Sequence, residues 1–139
     1  MDDPFNLQRF INAQDPVYAN VIAELKRGRK TTHWMWFVFP QIKGLGHTAM
    51  AAKFAISSRS EAEAYLAHPV LGPRLRECTQ LVLEIDGRTA NEIFGDRDDL
   101  KFRSCMTLFA HCAHDSGIFQ RALQKYFAGA EDPLTLARL

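Results

Sequence analysis

The chain has 139 residues, 47% of them hydrophobic and 24% charged, the balance of an ordinary globule rather than of a disordered, collagen-like or membrane-embedded chain. Seventeen Lys and Arg against sixteen Asp and Glu leave a net charge of +1, so no overall field steers the molecule toward nucleic acid or an anionic membrane. A chain near this length buries roughly 68 to 70% of its unfolded surface around one core, and a single globular domain over residues 1–139 is expected.

Helical punctuation recurs from end to end, and no Asn-Gly or Asp-Gly turn separates two alternating apolar runs as a hairpin requires. The fold class expected is all-α, a compact single-domain bundle of about six or seven helices. PFNLQRFINAQD supplies a first helix carrying Phe5, Phe10 and Ile11, and Asp15 with Pro16 opens a second. There Val17, Val21, Ile22 and Leu25 share a face and Gly28 provides the stop. Beyond the segment HWMWFVFPQIKGLG, Thr48 caps a helix running to Phe54, and Ser58 or Ser60 caps another with Ala62, Tyr65 and Leu66 on one side.

Leu71, Leu75, Cys78, Val82 and Ile85 then fall at the spacing of a helix packed on a core, starting at Pro69 or Gly72 and ending at Asp86 and Gly87. Pro73 fits only in its first turn. Thr89 with Glu92 forms a capping box for TANEIFG. From Asp99 to His114 the stripe Phe102, Cys105, Met106, Phe109 and Ala113 marks the next helix, broken at Gly117. Phe119, Ala122, Leu123, Tyr126 and Phe127 mark the last one, and GAEDPLTLARL reads as a tail docked by Leu134 and Leu136 and otherwise frayed.

MDDPFNLQRF lacks the basic start and apolar core of a secretory signal. No apolar run nears the roughly 20 residues that span a bilayer. Cys78, Cys105 and Cys112 show no CxxC spacing, which fits reduced thiols. A cytoplasmic location without a membrane partner is therefore expected. Arg27, Arg29 and Lys30 are the densest cationic run, but basic residues also offset a helix dipole at its C-terminus, so nucleic acid is not the expected partner.

Three stretches, HWMWFVFPQIKGLG, EAEAYLAHPVLGPRL and GDRDDLKFRSCMTLF, closely resemble the bacterial family catalogued as domain of unknown function 1810. The resemblance covers nearly the whole chain and implies a compact, mainly helical domain with no established activity. Some family members carry the name calpastatin, a disordered inhibitor, which the aromatic-rich and periodic composition here excludes. The family often shows a second serine where this chain has Cys105, so the resemblance implies no nucleophilic role there.

Function is expected at residues 33–46, where apolar bulk, a titratable ring, an amide, a cation and paired glycines adjoin. Trp34 and Trp36 offer flat faces for a planar ligand, set against the simpler reading that such rings are core anchors. Gln41 can read its edge. Lys43 and Lys101 can neutralise an anion, with Arg74 as a further anion contact, and Gly44 and Gly46 let backbone amides approach one. His33 is the candidate for proton transfer. Ser104 lies three residues from Lys101 and lines the same helix face, a pair too incomplete to predict acyl transfer. His111, Cys112, His114 and Asp115 lack further ligands at zinc spacing, so no metal is assigned and no cofactor is specified.

These residues predict a domain that binds a planar, anionic small molecule, with nucleotide-derived compounds as one such class. The alternative is a protein–protein interaction module whose exposed aromatic patch is rimmed by Lys43, Lys53 and Arg59. Whether the chain is an enzyme stays open in the sequence, as does its oligomeric state.

Overall fold

A computed structural model describes residues 2–139. In chain order the helices are α1 (Gln8–Gln14), α2 (Tyr18–Lys26), α3 (Met35–Val38), α4 (Ala49–Lys53), α5 (Arg59–Ala67), α6 (Leu71–Leu83), α7 (Ala90–Phe94), α8 (Asp98–Cys112), α9 (Gly117–Phe127) and α10 (Pro133–Leu136). The class is all-α as expected, but the described residues form ten helices, not six or seven, and six of these have seven or more residues. The single-turn helices α3 and α10 are too short to display an amphipathic repeat. None of the helices is long and apolar enough to cross a membrane.

Helix α8 is the axis of the molecule. Ser104, Cys105, Met106, Thr107, Leu108 and Phe109 are all buried, so this middle stretch of the helix is enclosed on every side, with α5, α7, α9 and α10 packed around α8. The sequence reading of one apolar face opposite a Lys101–Ser104 face holds only for its first turns. Thr107 turns inward without penalty because its hydroxyl donates to the Arg103 carbonyl at 2.8 Å.

The long stripe predicted from Leu71 is α6, with Leu71, Leu75, Cys78 and Val82 buried. It begins after Pro69, and Pro73 does sit in its first turn. His68 Nδ1 accepts from the amides of Val70 and Leu71 at 3.0 and 3.3 Å, acting as a cap. Gly72 is required for contact rather than for its dihedrals, since a Cβ there would lie 2.1 Å from the Leu66 carbonyl oxygen. The capping boundaries at Thr48, Ser58 and Thr89 are as predicted.

An isolated parallel bridge joins Ile42 and Ile56, the Lys43 amide donating to Ile56 O and the Ile56 amide to Gln41 O, both at 2.8 Å. It pins residues 43–55 as a closed excursion whose outer part is the glycine loop and α4. The C-terminal segment is docked rather than frayed, and leucines do not dock it. Leu134 is 63% exposed, whereas Asp132 and Thr135 are buried. Polar bonds to α8, described below, hold it in place.

Candidate functional site

The aromatic segment is divided between core and surface by one turn of helix. Trp34, Met35, Phe37, Val38 and Phe39 are buried, while Trp36 is half-buried. Phe39 meets Phe94 and Phe102 edge-on, with centroids 5.9 and 5.0 Å away, the favoured arrangement for ring quadrupoles. Trp34 is held from behind by Glu24 of α2. Its indole N–H donates to Glu24 Oε1 at 3.0 Å, and the same oxygen accepts from the amides of Thr31 and Thr32 at 2.6 and 3.0 Å. The Thr32 hydroxyl donates to Oε2. Burial opposes ionisation of this carboxyl, but the four donors overcome it and hold its pKa down at about 2.

With α3 fixed in this way, Trp36 faces a cleft of about 540 Å³ between the glycine loop and the start of α8. One wall is Trp36, Gln41, Leu45 to Thr48, and Ala51; the other is Arg97, Leu100, Lys101, Arg103 and Ser104, with Asp132 and Leu134 at the end. The Lys101 ammonium lies 5.7 Å from the Trp36 ring centroid and 3.1 Å from Asp98 Oδ1. A second cation, Lys30, takes the other oxygen of Asp98 at 2.9 Å and lies 5.2 Å from the Trp34 ring. The Lys101 charge is therefore only partly offset. A narrower hollow of about 20 Å³ adjoins the cleft and shares Trp36, Gln41, Gly46, Ala51 and Lys101 with it; Gly44 lines the hollow but not the cleft.

Asp132 ties the far end of the cleft together. Its Oδ2 accepts from the Ser104 hydroxyl at 3.0 Å, the Thr135 hydroxyl at 2.6 Å and the Thr135 amide at 3.1 Å. The Asp132 amide donates to Thr107 Oγ1 at 3.0 Å. Burial alone would raise the pKa of this carboxyl; the threonine and serine donors, with Arg103 nearby, bring it below the usual value. Arg103 gains little in return. Its Nη2 reaches Asp132 Oδ1 only at 3.5 Å, and its Nε is the sole buried side-chain nitrogen or oxygen without a partner among the described residues.

Of the residues singled out from sequence, Trp36, Gln41, Gly46, Lys101 and Ser104 line one cleft although up to 68 positions separate them. Others lie elsewhere. Trp34 is 1% exposed with its N–H bonded to Glu24, so neither its face nor its donor is open to a ligand. Exposed His33 and Lys43 line neither hollow; the imidazole that does line the cleft is His47. Arg74 is committed to the frame, 2.8 Å from Asp15 Oδ1, 3.3 Å from Gln14 Oε1 and stacked over Tyr18. The single hydroxyl proton of Ser104 is within reach of both the Leu100 carbonyl and Asp132 Oδ2, and Asp132, its pKa lowered and its Oδ2 already accepting from Thr135, is a weak base for activating a serine.

Sequence reasoning passed over Arg97, Arg103 and Asp132. Arg97 carries a signal visible only in the backbone, a φ of 70° at a non-glycine residue opening α8. No exposed aromatic patch forms at residues 33–46, because Trp34, Phe37 and Phe39 face inward.

The profile of the family described as "Protein of unknown function (DUF1810)" matches residues 4–139. Among solved structures, the chain is similar to the conserved hypothetical protein Rv1873 from Mycobacterium tuberculosis, with 55% identity, a TM-score of 0.98 and coverage of 99% of this chain and 98% of that one. No curated protein matches the chain.

Proposed function

The chain belongs to the DUF1810 family, and on that footing we propose that it binds a planar, anionic small molecule in the cleft between Trp36 and Lys101. The observation that carries this reading is convergence: Arg97, Lys101 and Arg103 line a 540 Å³ cleft whose only lining carboxylate among the described residues is Asp132. Asp132 is already occupied by Ser104 and Thr135. Apolar walls with a few convergent polar groups are the general form of small-molecule sites. Here the half-buried indole of Trp36 supplies the flat surface, Gln41 an amide that can donate and accept, and Gly46 an approach free of a side chain. The cations supply the charge complement.

A thermal-shift screen against nucleotides, nicotinamide derivatives and sugar phosphates tests the proposal. Ligand at one hundred times its Kd adds about 2.7 kcal/mol, a rise of roughly 10 °C for a chain of this size. Trp36→Ala and Lys101→Ala are expected to abolish the rise, while Lys43→Ala leaves it intact because that side chain lies outside the cleft. A confirmed ligand whose affinity is unchanged in both Trp36→Ala and Lys101→Ala would refute the assignment.

A further inference from the structure

We infer that the cleft selects a doubly charged phosphate monoester carried on an apolar body, with the phosphate between Arg97, Lys101 and Arg103 and the body against Leu100 and Leu134. This rests on the cleft being the ligand site and adds the head group's charge state and the ligand's polarity. Among the described residues, three lining cations face a single lining carboxylate, an excess that a carboxylate ligand neutralises only in part. A phosphate monoester carries about −1.5 to −2 charges at neutral pH and three acceptor oxygens.

Each cation has donors left to give. Arg97 makes no ion pair among the described residues, and a positive φ of 70° holds it at the entrance of α8. Lys101 shares Asp98 with Lys30. Arg103 reaches Asp132 at 3.5 Å, well beyond the roughly 2.7–2.9 Å of a strong charge-assisted bond. Its Nε is buried without a partner among the described residues and so is out of a ligand's reach, but the side chain as a whole is 26% exposed and lines the cleft. The rest of the cleft is apolar at its rim. Leu134 and Leu100, at 63% and 54%, are the two most exposed large hydrophobic residues described, and both line this cleft. An amphipathic occupant covers them while its head meets the cations.

The test is nitrogen–proton NMR of the full chain at pH 8, titrated with phenyl phosphate, a dianion, and with methyl phenyl phosphate, a monoanion with the same ring. Phenyl phosphate is expected to move the indole resonance of Trp36 but not that of Trp34, which is sealed against Glu24. Its affinity should exceed that of methyl phenyl phosphate by about tenfold or more, the difference that a charge-assisted bond makes. Inorganic phosphate, lacking the body, should bind more weakly than phenyl phosphate. Arg97→Gln should remove most of that advantage, while Lys26→Gln, outside the cleft, should not. Equal affinities for the two esters, or no loss in Arg97→Gln, overturn the dianion assignment but leave the anion-binding reading in place. Failure of every anion, screened or titrated, to move the Trp36 indole overturns both.

Discussion

Replacing Glu24 by glutamine removes a buried negative charge while keeping the side chain's length, which makes it a direct test of what holds the aromatic turn. The wild-type carboxylate is 2% exposed and takes donors from Thr31, Thr32 and Trp34. In glutamine the carbonyl oxygen can still accept the two amides and the indole, and the amide can donate to the Thr32 hydroxyl, so the fold is expected to survive. The lost contribution follows from linkage. A folded pKa of about 2 against an ordinary 4.5 corresponds to about 3 kcal/mol at neutral pH, at about 1.4 kcal/mol per pH unit. Because the folded pKa is depressed, this stability is fully present above pH 4.5 and is lost as pH falls toward 2. The difference between wild type and Glu24→Gln should therefore shrink from about 3 kcal/mol at pH 7 to about 1.4 kcal/mol at pH 3. Urea titrations followed by tryptophan emission at the two pH values measure it, and the other carboxyl groups cancel in the difference. A gap of the same size at both pH values would refute the reasoning, since it would mean the cost lies in shape and not in charge. The result bears on the site as well, because Glu24 fixes Trp34 and thereby the turn that presents Trp36.

Gly44 has φ +97°, and a Cβ there would lie 2.7 Å from the Arg138 guanidinium. Gly44→Ala should cost about 1 kcal/mol; arginine can swing away, so the same cost should persist in an Arg138→Ala background, and its disappearance there would show that contact rather than backbone strain is responsible. Asp132→Ala strips Ser104 and Thr135 of their acceptor and removes the cap of α10, with an expected loss of about 2 kcal/mol and faster carboxypeptidase trimming of the C-terminus; wild-type trimming rates would exclude this role. The depressed Asp132 pKa places the accompanying loss of wild-type stability on the acid side, as pH falls through that folded value. Burial raises the pKa of all three thiols, Cys78 to about 12, so Ellman's reagent at pH 8 should label none rapidly in the native chain and all three in urea. Prompt reaction of any native thiol would contradict their burial.

The helices that could be read from sequence were those with a repeating apolar face or a side-chain cap: α6 from its Leu71–Val82 stripe, α7 from the Thr89–Glu92 box, α5 from Ser58. Both signals are local, since periodicity and capping depend on residues within a turn or two. The aromatic turn was legible as unusual but its division was not. Trp34 and Trp36 are chemically equivalent in the sequence; the turn of α3 sends them to different sides, and Glu24 on α2, ten residues earlier, bonds the indole of the one that goes inside.

Composition and spacing by themselves determined the helical class and the family resemblance, because these are properties of neighbouring residues. Tertiary structure alone decided which residues share the cleft. Arg97, Arg103 and Asp132 join Trp36 and Gln41 because α8 leaves Arg97 to Lys101 and Arg103 partly open while Ser104 to Phe109 are buried, and because Asp132 bonds back to it across 28 residues. Arg74 and Lys43 illustrate the converse: a free cation in sequence becomes either a structural ion pair or a solvated side chain once the partners around it are set in space.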